Sequence, residues 1–139
     1  MSNLSKLIAK ARGEVVPRKT VDQEVLVAGE LVKLRFEKLD PQEWRGLVAM
    51  FPAREGVQMD RSLGYNFDLV PSGYPVEHIF DVTSGEPVEV SEDDWAGVFS
   101  LLESPDLKNV ALALWGIHEF EPQQAVLAAK KAQRSRLKK

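Results

Sequence analysis

The chain has 139 residues, of which 44% are hydrophobic, and it carries a formal net charge of −3 and no cysteine. This length predicts one domain with a packed core, and the lack of cysteine excludes disulfides, thiol nucleophiles and cysteine metal sites. No apolar run approaches the roughly 18–20 residues of a membrane-spanning helix, and residues 1–13 lack the apolar block of a signal peptide. We therefore expect a soluble, cytoplasmic protein with no membrane partner.

Charge is segregated along the sequence. Residues 1–20 carry five basic and one acidic side chain, residues 130–139 carry six basic and none acidic, and residues 21–129 carry seven basic and twenty acidic, a net charge of −13. This acidic body argues against a nucleic-acid partner and favours attraction to a basic protein or to the chain's own ends. The alternative is that the charged ends only keep the domain soluble. We divide the chain into a basic N-terminal segment, 1–20, a globular domain, 21–120, and a basic C-terminal tail, 121–139.

The N-terminal part predicts a short helix followed by a β-hairpin. The helix ends at Gly13 and is too short to be stable alone; its apolar residues at helical spacing are Leu4, Leu7, Ile8 and Ala11. Two strands, 23–27 and 31–36, flank residues 28–30, where a glycine permits the positive φ of a hairpin turn. Their alternation gives one apolar face, which a helix must cover because two strands alone are unstable.

Three elements are predicted between the hairpin and residue 82. A helix over 41–51 begins behind Asp40 as its N-cap and carries an apolar stripe. Residues 53–73 show no periodicity, so we predict that they are a long loop and the least regular internal segment. A short helix is predicted over 74–82, with three apolar side chains on one face.

The stretch from Val90 to His118 predicts two helices, 92–103 and 106–118, with Ser91 as the first N-cap. Each helix carries an apolar stripe, and the pair cannot bury both against each other. A third surface is needed, either the rest of the chain or a partner. The sequence after residue 122 is rich in Ala, Lys and Arg; it could form a helix but is expected to be partly disordered alone. We predict an α+β fold that is mostly helical, with an N-terminal β-hairpin packed on a small helical bundle and flexible basic termini.

The sequence offers little catalytic chemistry. Of the two histidines, His78 follows Glu77, and adjacent helical residues do not share a face, so these two are not a metal pair. No glycine-rich phosphate loop or nucleophile elbow is present. We therefore expect a protein that is not an enzyme and that holds no cofactor or metal.

Three tryptophans, Trp44, Trp95 and Trp115, each lie on a predicted apolar stripe. Core packing is the simpler interpretation; the alternative is that one or more of them lines a groove for a partner helix. Ten residues of the two-helix stretch and the basic tail are our candidates for partner binding: Trp95, Phe99, Leu102, Leu107, Leu114, Trp115, Lys130, Lys131, Arg134 and Arg136.

A series of short motifs also occurs in a recognisable order. After the hairpin come a Trp-bearing helix ending in Phe51-Pro52, the segment Leu63-Gly64-Tyr65-Asn66-Phe67-Asp68, an acidic turn over 82–87, the segment Val90-Ser91-Glu92-Asp93-Asp94-Trp95, a helix into Leu101-Leu102 and a last helix over 109–117. Over residues 22–120 this order resembles the tail assembly chaperones of long-tailed, siphovirus-type phages, in particular those that infect actinobacteria. The chain departs from the family pattern at 71–74.

The resemblance implies a non-enzymatic role in the host cell cytoplasm and absence from the mature virion. Proteins of this family bind the tape measure protein and keep its long helical chain soluble until tail tube subunits replace them. The family has a short form and a longer, frameshifted form that recruits the major tail tube protein; this chain, with its basic tail, would be the short form. Self-association through the charged ends is a further expectation. The alternative function is a small structural tail or neck protein that is retained in the virion.

Overall fold

The computed structural model describes residues 2–137 and shows an α+β fold that is mostly helical, as the sequence predicts, with 57% helix. Within these residues, four strands form one antiparallel sheet in the order β1-β2-β3-β4. The strands are β1 (Thr20–Val27), β2 (Glu30–Glu37), β3 (Ile79–Asp81) and β4 (Val88–Glu89). The helices are α1 (Asn3–Gly13), α2 (Pro41–Ala49), α3 (Gln58–Leu63), α4 (Glu92–Leu101), α5 (Ser104–Trp115) and α6 (Glu121–Leu137). Short 3₁₀ turns span Val70–Gly73 and Val76–His78, and a π-helical turn spans Gly116–Phe120.

The predicted hairpin is confirmed, with a tighter turn than expected. β1 and β2 pair from Thr20 opposite Glu37 up to Val27 opposite Glu30, so the loop holds two residues and Glu30 already belongs to β2. Ala28 has φ 50° and Gly29 has φ 84°, and two consecutive positive φ values are what a type I′ hairpin turn requires. The apolar face of the hairpin points into the core.

The sheet is larger than the predicted hairpin because the helix expected over 74–82 does not form. A 3₁₀ turn, Val76–His78, leads instead into β3, which pairs with β2 on one side and with β4 on the other. Ile79 is fully buried in β3. The spacing that indicated a helical face therefore belongs to a turn followed by a strand.

The segment 53–73 is also more ordered than the predicted loop. It contains α3 and the 3₁₀ turn Val70–Gly73, and it contributes buried side chains at Tyr65 and Phe67. Asp60 organises it from a fully buried position. Its carboxylate accepts from Arg54 Nε at 2.8 Å and Nη2 at 3.0 Å, and from the backbone N–H groups of Arg54 at 3.0 Å and Phe67 at 3.2 Å. The Arg54 guanidinium holds the pKa of the Asp60 carboxyl well below its usual range.

The core lies between the sheet and the helices. The Phe36 ring meets the rings of Tyr74 and Trp95 edge-on, at centroid distances of 5.6 and 5.8 Å. α5 packs along β1, whereas α2 and α4 pack against the 3₁₀ turn Val70–Gly73. The third surface that the two-helix stretch needs is therefore largely supplied by the rest of the chain.

The prediction that the second helix ends near residue 118 is wrong. α5 passes through the π-helical turn directly into α6, which continues to Leu137 as a helix rather than as a disordered tail. In the π turn, the Glu121 N–H bonds to the Gly116 carbonyl oxygen, five residues back. None of the residues between Glu121 and Leu137 is buried. Lys138 and Lys139, also assigned to the tail, lie outside the described residues.

Candidate partner-binding surface

Two of the ten predicted partner-binding residues are part of the core. Trp95 is 2% exposed and Leu114 is 1% exposed, and the Trp95 indole N–H donates to the Pro71 carbonyl oxygen at 2.9 Å. With so little surface exposed, neither side chain can act as an anchor for a partner, although Trp95 borders a shallow space of about 280 Å³ beside Glu92. Phe99 and Leu102 are half-buried against the same core.

Trp115 is a partly exposed aromatic residue of the predicted set, and it lines an open groove. It is half-buried, and its ring lies 5.4 Å from that of Phe120. We call this space the Trp115 groove; its volume is about 550 Å³ and it runs between α3 and the α5–α6 helix. Its lining residues are Ser62, Leu63, Trp115, Glu119, Pro122, Gln123 and Val126. Leu107, by contrast, is half-buried and does not line it.

The wall of the Trp115 groove is held in place by a polar contact. The Trp44 indole N–H donates to Glu119 Oε2 at 3.1 Å. Burial, together with the nearby Glu119 carboxylate, raises the pKa of the Tyr65 phenol, which keeps this neighbour neutral. The Glu119 carboxylate therefore contacts Trp44 and Tyr65 on the side that faces the core.

His118 anchors the base of α6 from inside the body. Its ring stacks on Trp44, with centroids 4.1 Å apart and planes 8° apart. Nδ1 lies 2.7 Å from the Leu114 carbonyl oxygen, and the Leu39 N–H donates to Nε2 at 2.9 Å. Since a carbonyl only accepts and an amide N–H only donates, we infer that the proton sits on Nδ1. Burial lowers the pKa of His118 to about 4, so the ring is neutral at physiological pH.

The four basic candidates of the C-terminal part lie on α6. Lys130, Lys131, Arg134 and Arg136 are all exposed, and none forms an ion pair within residues 2–137. No acidic residue occurs between Pro122 and Leu137. Helical spacing puts Lys130 on the same face as Val126, one turn further from the Trp115 groove. The structure therefore brings Trp115 and Lys130 onto one continuous helix face.

α1 is a second helix with an unpartnered apolar side. None of the residues between Asn3 and Gly13 is buried, although Leu4, Leu7 and Ile8 share one face. The segment after α1 is attached to the body, because the Arg18 guanidinium donates to the Lys38 carbonyl oxygen at 2.8 Å. α1 is thus an arm attached to the body beyond its own C-terminus.

Sequence reasoning missed Leu63 and Val126 as groove residues. A signal for Val126 was present: Trp115, Glu119, Pro122 and Val126 follow at i, i+4, i+7 and i+11, which is one helical face once the helix is continued through Pro122. Nothing local indicates Leu63, because it reaches the groove through the folding of 53–73.

Residues 2–137 contain neither a metal centre nor a membrane-spanning helix. Between residues 2 and 137, no three His, Cys, Asp or Glu side chains converge so as to hold a metal ion. No helix in that range has both the length and the apolar character required to cross a bilayer. No family model matches this chain, and no curated protein or solved structure is significantly similar to it.

Proposed function

We propose that this protein is an assembly chaperone, which binds a long helical partner and keeps it soluble until other subunits replace it. The family resemblance assigns that partner as the tape measure protein of a long-tailed phage and the site of action as the host cell cytoplasm. On the same basis, the major tail tube protein is recruited through a longer, frameshifted form. The proposed function involves no catalytic step.

The observation that carries the proposal is that no residue of the two terminal helices, α1 and α6, is buried. α1 presents Leu4 and Leu7 to solvent, and α6 presents Val126 and Leu127, each about half exposed or more. Isolated helices of this length are marginal in water, and exposed apolar side chains grouped on a surface are typical of binding sites. Both helices thus have the character of surfaces completed by a partner.

The Trp115 groove supports the same function. An open groove between helices, with an aromatic side chain in its wall, suits an amphipathic helix that inserts its apolar side chains. A tape measure chain is long and helical and would expose many such stripes before the tube encloses it. Binding them would reduce the apolar surface that drives aggregation.

Co-expression with the product of the next downstream gene tests the proposal. We expect the partner to be insoluble alone and to be recovered in a soluble complex with this chain. Val126→Asp, in the groove, should reduce the recovered complex, whereas Leu31→Asp, at an exposed position of the hairpin, is the matched control and should not. A partner that stays equally insoluble with the wild-type chain would contradict the proposal.

Mass spectrometry of purified phage particles separates the chaperone from a structural tail or neck protein. An assembly chaperone acts before completion of the tail, so it should be absent from mature particles while present in the infected cell. Stoichiometric recovery of this chain from the particles would contradict the chaperone function and support the structural alternative.

A further inference from the structure

We propose that the Trp115 groove and the basic face of α6 form one docking surface, and that its occupant is an acidic amphipathic helix of a separate protein. The inference rests on the proposed function in that the partner is helical. It goes further in naming the surface that is used and the charge that the partner must carry.

The apolar half of this surface is the Trp115 groove. Leu63 of α3, Trp115 of α5 and Val126 of α6 line it, so three elements meet around a space of about 550 Å³. A helix that lies here would insert the side chains of its apolar stripe between α3 and α6. Helix-in-groove recognition uses such anchors at i, i+3 or i+4, and i+7.

The basic half is the continuation of the same helix face. Val126, Lys130, Gln133 and Leu137 follow at i, i+4, i+7 and i+11, so they line up along α6. Arg134 and Arg136 flank this line, each roughly 70–90° around the helix from it, whereas Lys131 lies on the far side. At 1.5 Å per residue, the helix extends about 16 Å past Val126. A partner helix of about ten to fifteen residues could therefore contact the groove with one end and the basic residues with the other.

The charge of this surface selects an acidic partner. Lys130, Lys131, Arg134 and Arg136 are exposed on α6, and Arg61 is exposed beside the α3 wall of the groove. Glu119 is the acidic residue among the groove lining, and its carboxylate already accepts from the Trp44 N–H. Complementary charge across an interface speeds association and excludes partners of the wrong sign.

The chain's own body does not supply the complementary charge. Residues 21–129 contain twenty acidic side chains, yet within residues 2–137 none of them pairs with the four basic side chains of α6. Because α6 continues α5 as one helix, it cannot fold back onto the body without breaking. The acidic groups must therefore come from another molecule.

The test compares two labelled helical peptides with the same leucine spacing, one with Glu and one with Lys at every flanking position. We expect the full chain to bind the Glu peptide at least tenfold more tightly in fluorescence anisotropy, with an affinity that falls as sodium chloride rises. The double variant Lys130→Glu/Arg134→Glu and the single variant Val126→Asp should each weaken binding at least tenfold. The variant Lys33→Glu reverses a charge at an exposed position of β2, outside the groove lining, and should leave the affinity within twofold.

Three results would overturn the inference. The first is equal affinity for the two peptides, and the second is unchanged affinity after charge reversal on α6. The third is a concentration-dependent dimer, seen by light scattering without peptide and abolished by Lys130→Glu/Arg134→Glu, because the occupant would then be a second copy.

The outcome can be told apart from that of the proposed function. If the charge-reversed variant still keeps the natural partner soluble, the chaperone function stands and this surface is wrong. If the Glu peptide binds as expected but the natural partner is not kept soluble, the surface stands and the chaperone function is wrong.

Discussion

Trp95 lies where the sheet meets α4 and the 3₁₀ turn that follows α3. Its ring packs edge-on against Phe36, and its indole N–H donates a hydrogen bond to the Pro71 carbonyl oxygen. Replacement by alanine removes a large buried aromatic group and leaves a cavity together with an unpaired carbonyl. We expect Trp95→Ala to lower the free energy of unfolding by about 3–5 kcal/mol, measured by urea denaturation.

Leu112→Ala is the matched control for this experiment, because Leu112 lies on a neighbouring helix with about half of its side chain exposed. Its effect should stay within about 0.5 kcal/mol, as is usual at surface positions. Equal effects of the two substitutions would mean that Trp95 is not a core residue.

His118 should make the stability of the fold depend on pH. Burial lowers its pKa to about 4 from the ordinary 6.5, so between these values the unfolded chain binds a proton that the folded chain does not. The contribution of neutral His118 to the free energy of unfolding is fully present above about pH 6.5 and is lost as the pH falls towards 4. A shift of this size corresponds to about 3 kcal/mol.

Urea denaturation at pH 7, 6, 5 and 4.5 measures this loss. A His118→Gln variant, although less stable at neutral pH, should lose less free energy of unfolding over that range. Protonation of Asp60 does not affect this comparison. Because its pKa is lowered in the folded chain, it reduces the free energy of unfolding only as the pH falls below the ordinary value of 3.8. The same pH slope in both proteins would show that His118 is not the group responsible.

At the scale of residues, local patterns predicted the caps and the turn. The Ser91 hydroxyl accepts from the Asp94 N–H at 3.0 Å, and the Glu43 carboxylate accepts from the Asp40 N–H at 3.0 Å. Both contacts join residues three apart, so their geometry depends on the local chain alone. The buried role of Asp60 was missed, because its partners include Phe67, which only tertiary folding brings close.

At the scale of elements, two of the wrong assignments have different physical causes. The three residues of β3 are too few to show a strand period, and their conformation is set by pairing with β2. The helix was predicted to end at residue 118, and Pro122 disfavours its continuation because the proline ring crowds the carbonyl oxygen four residues back. The helix accommodates it by widening into the π turn Gly116–Phe120, which shifts the hydrogen bonds by one residue.

The segment 53–73 offers a prediction at this scale. The sequence predicted rapid hydrogen exchange across it, whereas the structure leads us to expect protection at the Phe67 amide, which donates to Asp60. Asp60→Ala removes the acceptor of both backbone N–H groups and the partner of Arg54, and should destabilise the fold by about 3 kcal/mol. Exchange should rise through 54–68 before it rises in α5.

Asp68→Ala is the control, since Asp68 also pairs with Arg54, at 3.0 Å, but is partly exposed. It should change the exchange of the Phe67 amide much less than Asp60→Ala does. If the wild-type segment already exchanges as fast as a free peptide, the buried carboxylate does not organise it.

At the scale of the whole molecule, the charge segregation predicts that the proposed complex depends on salt concentration. Exposed charges are screened beyond about 8–10 Å at physiological ionic strength, so contacts through the basic ends should weaken as sodium chloride rises. Apolar contacts should persist, and should strengthen in sulfate. We expect the complex of the full chain with its partner to be salt-sensitive, and that of a chain ending at Ala129 to be much less so. Identical behaviour of the two chains at every salt concentration would assign the last ten residues to solubility alone.

The unbroken helix from Ser104 to Leu137 also has a mechanical consequence. It is a rod of about 50 Å, whose first half packs into the body and whose second half, α6, has no buried residue. A bend of about 10° at the π turn would move the tip of α6 by about 4–5 Å. We expect a force applied to that tip to act first on the His118 ring and its stacked neighbour Trp44, which lie at the π turn.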